Sequence, residues 1–89
     1  MIGRHIRVTG LVQGVFFRAW AQGHARELGI SGWVRNWPAG SVEGHLTGEE
    51  DAVARMIERL RSGPANARVE DVIVEDSKPE SVGRFEVRH

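Results

Sequence analysis

The chain predicts an α+β fold in which an antiparallel sheet of four to five strands carries two helices on one face. Three observations point there. Short segments alternate apolar and polar residues with the period of a half-buried strand. Two stretches place apolar residues at helical spacing. Gly and Pro fall singly between these segments, as punctuation. In chain order the elements run β-α-β-β-α-β with a short tail strand, the ferredoxin-like (split βαβ) sandwich. The sheet face away from the helices is expected to stay partly open to solvent. This fold hosts enzymes, RNA binders and metal carriers alike, so function has to be argued from a site.

The first strand is expected over residues 4–10, with Ile6 and Val8 on one face and Arg7 and Thr9 on the other. A helix follows over residues 17–28, where Phe17, Ala21, Ala25 and Leu28 recur at helical spacing and Gly29 supplies a stop. Gly23 inside it marks either a close helix–sheet contact or a tolerated imperfection. Residues 30–37 and 42–47 alternate and flank Pro38-Ala39-Gly40-Ser41, which predicts a hairpin. Thr47-Gly48-Glu49-Glu50 resembles a capping box at the start of a second helix. Val53, Met56, Ile57 and Leu60 form that helix's core stripe, and Gly63-Pro64 ends it. Residues 69–75 give a further strand, and Phe85 with Val87 a short last one or an edge extension.

With 89 residues and no internal repeat, one domain over residues 1–89 is expected. The absence of cysteine excludes a disulfide framework, a thiolate metal site and a Cys nucleophile, and fits a cytoplasmic protein. No stretch approaches a membrane span or a signal peptide, so no membrane partner is expected. Twelve basic residues balance twelve acidic ones, and a molecule without net field is a poor ligand for nucleic acid. Of the basic residues only Lys78 is not arginine, which suits bidentate point contacts, although most are expected to be ordinary surface. His5, His24, His45 and His89 lie on different elements without metal-site spacing, so they are expected at the surface or partly packed and no metal or cofactor is expected. Trp20, Trp33 and Trp37 are expected in the core or at its rim.

The segment Gly10-Leu11-Val12-Gln13-Gly14-Val15-Phe16-Phe17-Arg18 is too apolar for a solvated connector. Gly14 admits a positive φ or a close backbone approach, and the amides that follow it open a helix. Arg18 is electrostatically misplaced at a helix N-terminus unless an anion sits beside it, and its guanidinium matches two phosphate oxygens. Gln13, Gly14, Val15, Phe16, Phe17 and Arg18 are therefore the expected cradle for a phosphate-type anion. The loop lacks the Gly-Lys-Ser/Thr ending of a nucleotide P-loop, and it has no Cys or Asp to form a covalent phospho-intermediate.

These residues, with Gly32-Trp33-Val34-Arg35-Asn36 and Gly40-Ser41-Val42-Glu43, closely resemble the acylphosphatases, and the likeness continues through Gly63-Pro64 and Ala67-Arg68-Val69. The resemblance implies hydrolysis of small acyl phosphates to a carboxylate and inorganic phosphate, with Arg18 binding the phosphate and Asn36 orienting the attacking water. It implies no cofactor and no metal, and a monomer is expected. Two positions depart from the family's pattern: Trp37 stands where a smaller residue, commonly Thr, is usual, and Ala39 where Asp is common.

Overall fold

Ile6 and Val8 of the first strand, Val42 and Leu46 of the third, and Val34, Val72 and Phe85 of the other strands are all buried on one side of a single sheet. The computed structural model describes residues 1–80 and 83–89. Its elements are β1 Ile2–Leu11, α1 Phe17–Glu27, β2 Ser31–Asn36, a 3-10 turn Pro38–Gly40, β3 Val42–Gly48, α2 Glu50–Ser62, β4 Arg68–Ser77 and β5 Phe85–Arg88. Phe17, Ala21 and Ala25 of α1 and Val53, Met56 and Leu60 of α2 close the same core, so both helices cover one sheet face as their apolar stripes require. Among the described residues, no helix is long and apolar enough to cross a membrane.

The strand order is β4-β1-β3-β2-β5. The first four strands pair antiparallel, with Ile6 opposite both Gly44 and Val74 and Trp33 opposite His45. β5 departs from the expected all-antiparallel sheet: Gly32 pairs with Phe85 and Val34 with Val87 in parallel register, making the sheet mixed. The route explains the direction. After β4 at the far edge, the chain returns across the sheet and meets β2 running the same way.

Two local expectations are corrected, and one alternative left open is decided. The capping box does not form: Thr47 belongs to β3, the helix N-cap is Glu49 without a side-chain cap bond, and the Thr47 hydroxyl accepts from the Glu80 amide at 2.9 Å. β3 extends far enough to engage Thr47 in the sheet, and tertiary pairing outcompetes the local motif. At Gly23 an added Cβ would meet nothing within 4 Å, so no close helix–sheet contact motivates that glycine. His45 is buried rather than at the surface, its ring bonding Ser77 Oγ at 3.2 Å and Thr47 Oγ1 at 3.3 Å on the central strand.

The sheet face away from the helices is lined by its own polar and aromatic side chains. Arg7, Trp37, Arg35, Trp33 and Arg88 stand in alternating file. Trp37 has the Cζ of Arg7 at 5.7 Å and of Arg35 at 4.7 Å from its ring centroid; Trp33 has Arg35 at 5.4 Å and Arg88 at 4.8 Å. These arginines are engaged by indoles, and Trp33 and Trp37 belong to the open face, while Trp20 packs at the rim of the core.

Candidate active site

The loop after β1 enters α1 through an unusual backbone. Gly14 has φ 73°, a value that glycine adopts without cost, and adding a Cβ there would meet nothing within 4 Å. Phe16, the N-cap of α1, also lies in the left-handed region at φ 61°, ψ 25°, and its side chain caps nothing. The first helical hydrogen bond runs from Trp20 N to Phe16 O at 3.0 Å. The amides of Phe17, Arg18 and Ala19 precede it and have no intrahelical partner. No acidic residue stands in the first turn to meet them. Among the described residues no acceptor meets these three amides, so they, the positive end of the helix dipole and Arg18 converge where an anion is favoured.

Arg18 and Asn36 are far apart in sequence and line one cavity of about 360 Å³, together with Gly14, Phe16 and Phe17. Gln13 and Val15, expected in the cradle, are not among its walls. Gln13 turns its amide to the hairpin, where Nε2 donates to Trp37 O at 3.0 Å and to Ser41 O at 2.8 Å. Trp37 N also donates to Ser41 O at 2.8 Å, so the turn after Asn36 is closed and tied to the loop. Val15 packs against the core beside the helices. Phe17 is both a buried core residue and a wall of the cavity.

Asn36 ends β2 on the helix-facing side of the sheet, because Val34 two residues earlier is buried there, and it is itself exposed to the cavity. Arg35 and Trp37 on either side of it face the opposite way and stack on each other. The hairpin turn carries strain at Ala39, φ 68°, where an Asp or Gly would tolerate the left-handed backbone better.

β5 contributes two features that no local pattern foretells. Val87 is a wall of the cavity. The Arg88 carbonyl accepts from Arg18 Nη1 at 3.0 Å, with His89 Nδ1 at 3.3 Å from the same nitrogen. Among the described residues no carboxylate pairs with Arg18. One edge of its guanidinium is therefore anchored to the Arg88 carbonyl while its remaining donors stay available to a ligand. The arrangement can hold a tetrahedral anion by amides and one guanidinium, and present a neutral side-chain amide to a water beside it.

A family model for acylphosphatase matches residues 4–87 of the chain. A protein of Roseiflexus sp. named acylphosphatase is 51% identical over 79 residues, covering 89% of this chain and 85% of that one. The solved structure of an acylphosphatase from Coxiella burnetii matches with a TM-score of 0.94 at 40% identity, covering 98% of this chain and 92% of that one. The acylphosphatase structure from Bacillus subtilis matches with a TM-score of 0.94 at 33% identity, covering 100% of both chains.

Proposed function

The chain belongs to the acylphosphatase family, and on that premise we propose that Arg18 and the loop amides hold the phosphoryl group of an acyl phosphate while Asn36 orients the attacking water. The protein is an acylphosphatase, a hydrolase of the carboxyl–phosphate bond. The observation that supports these roles is the shared cavity, which has Arg18, Asn36 and the first residues of α1 among its walls.

The chemistry asks little more. The leaving group is a carboxylate whose acid has a pKa of about 4 to 5, so no general acid is needed to expel it. The water oxygen bonds to phosphorus in line with the acyl oxygen, and the P–O bond to that oxygen breaks with its electron pair leaving on the carboxylate. Asn36 is too weak a base to take the water's proton, which passes to a phosphoryl oxygen of the substrate. What the protein supplies is placement and neutralisation of charge. Arg18 and the amides perform both without a metal ion. The reading extends to a single-domain monomer acting in the cytoplasm on small acyl phosphates, with no nucleic-acid partner, in keeping with a net charge of zero.

Steady-state hydrolysis of benzoyl phosphate with chelator present tests these roles. Arg18→Gln is expected to lower kcat/KM by at least about 10² to 10³, the worth of one oxyanion donor, and Asn36→Ala to abolish most of kcat. Near-normal kinetics in Arg18→Gln would overturn the assignment. The pH profile is expected to be broad between about 5 and 8, since no protein group has to titrate there. A bell that disappears in His89→Gln would instead put the His89 ring into the reaction.

A further inference from the structure

The cavity around Arg18 and Asn36 is larger and greasier than a phosphoryl group requires. Its volume of about 360 Å³ falls in the range of about 300–1,000 Å³ that takes small organic ligands. Beyond the polar groups its walls are Val12, Phe16, Phe17, Ala19 and Val87. Four of these five have an account within the fold: Val12 and Phe17 are buried, Val87 packs against the core, and Ala19 is a small residue in the first turn of α1. Phe16 has none. The residue is 84% exposed, it caps no helix amide, and its backbone sits at φ 61°. A bulky L-residue in the left-handed region is a strained choice where Gly or Asn would serve the backbone better. An exposed phenyl ring therefore gains nothing from the fold and is held at a cost at the cavity's edge.

The apolar body that the reaction brings to this edge is the acyl group of the substrate. Resting on the reading of Arg18 and the amides as the phosphoryl site, we infer that Phe16 is the specificity-determining residue for that group. Its ring packs against the acyl substituent and favours acyl phosphates with aromatic or extended apolar groups over acetyl phosphate. The selection operates through contact area and aromatic packing, because the polar groups of the cavity are committed to the phosphoryl end.

The test compares kcat/KM for benzoyl phosphate and acetyl phosphate in the unaltered enzyme, Phe16→Asn and Phe16→Tyr, with the Ki of inorganic phosphate measured alongside. Asn tolerates the left-handed backbone, so Phe16→Asn removes the ring without reshaping the loop. The benzoyl-to-acetyl ratio is expected to fall about 3- to 10-fold in Phe16→Asn, the range of one aromatic packing partner, and to stay within about twofold in Phe16→Tyr. Taking the ratio between enzymes cancels the intrinsic reactivities of the two substrates. An unchanged ratio in Phe16→Asn would overturn the inference, as would equal losses on both substrates and in phosphate affinity, which would mean that Phe16 only shapes the loop. Absence of turnover on either substrate by the unaltered protein would overturn the phosphoryl-site reading and this inference with it.

Discussion

Removing the Gln13 side chain should uncouple Asn36 from the phosphate loop. Gln13 Nε2 spans from the loop to Trp37 O at 3.0 Å and Ser41 O at 2.8 Å, the two ends of the turn that follows Asn36. In Gln13→Ala both bonds are lost. Ser41 O keeps its bond from Trp37 N at 2.8 Å, so Trp37 O is the acceptor left without either of these partners. At about 0.5–1.5 kcal/mol net per hydrogen bond, the stability loss is about 1–3 kcal/mol. For a domain of this size that lowers Tm by about 4–24 °C. The larger effect is expected on rate, since the freed peptide adjoins Asn36, and a displacement of about 1 Å can cost up to about 10²-fold. We expect kcat on benzoyl phosphate to fall about 10- to 100-fold at a temperature where the variant is fully folded, with the Ki of inorganic phosphate moving much less. Gln13→Glu keeps the shape, replaces the donor by an acceptor and should reproduce the loss. A double-mutant cycle separates positioning from general damage: in an Asn36→Ala background, Gln13→Ala should cost less than about threefold more. An additive loss in that background, or an unchanged kcat beside the lowered Tm, would refute a positioning role.

Two further outcomes follow from the fold. Gly32 has φ 140°, and a Cβ there would sit 1.9 Å from the His45 carbonyl oxygen on β3, so Gly32→Ala must push the paired backbones apart. We expect a loss of about 2–4 kcal/mol from backbone strain and overpacking, whereas Gly23→Ala, with open space around it, should gain about 0.5–1 kcal/mol; equal melting temperatures for the two variants would contradict both. The Glu43 side chain is 9% exposed; burial pushes its carboxyl pKa up, but bonds from Arg35 at 2.7 Å and a His5 contact at 3.0 Å outweigh it and hold the pKa below the ordinary carboxylate value. Because the folded pKa is depressed, the stability from this group is complete above the unfolded value of about 4.3 and drains away as pH falls through the folded value. Urea midpoints between pH 7 and 2 should therefore fall less steeply on the acid side in Glu43→Gln, and parallel acid slopes would show that Glu43 carries no such linkage.

Legibility in the sequence followed the range of the interactions. The Val53, Met56, Leu60 stripe and the alternation through Ile6 and Val8 are local patterns, and the structure keeps them. The Gly14 to Arg18 loop was readable because a positive φ, free helix amides and a misplaced charge are all local demands. Thr47 shows where local reading fails, since its motif fits a cap but the sheet claims the residue and Glu80 claims its hydroxyl. β5 was readable as a strand, but its parallel place beside β2 depends on the path of the whole chain. For that reason the Arg88 carbonyl and Val87 could not be assigned to the site. Gln13 was assigned to the right loop, but which way its amide turns is settled by the hairpin across from it.

These long-range ties bear on how so small a site can work. On the mechanism proposed, the leaving carboxylate needs no proton, so the barrier is lowered by bringing three bodies together, phosphoryl group, water and guanidinium, with the water in line with the P–O bond that breaks. The groups that hold them come from separate segments, the loop after β1, the end of β2 and the first turn of α1. Among the described residues no sheet ladder pairing joins the loop to the hairpin turn at this point; Gln13 does so by two side-chain bonds, and the Arg88 carbonyl fixes Arg18 from a fourth segment, β5. Core residues such as Met56 and Leu60 then govern whether the protein is folded, while Gln13 and β5 govern how closely the three bodies meet. The two sets should separate experimentally: a Met56→Ala variant loses about 2–5 kcal/mol of stability yet retains its kcat where it remains folded, whereas Gln13→Ala loses rate well below its melting temperature.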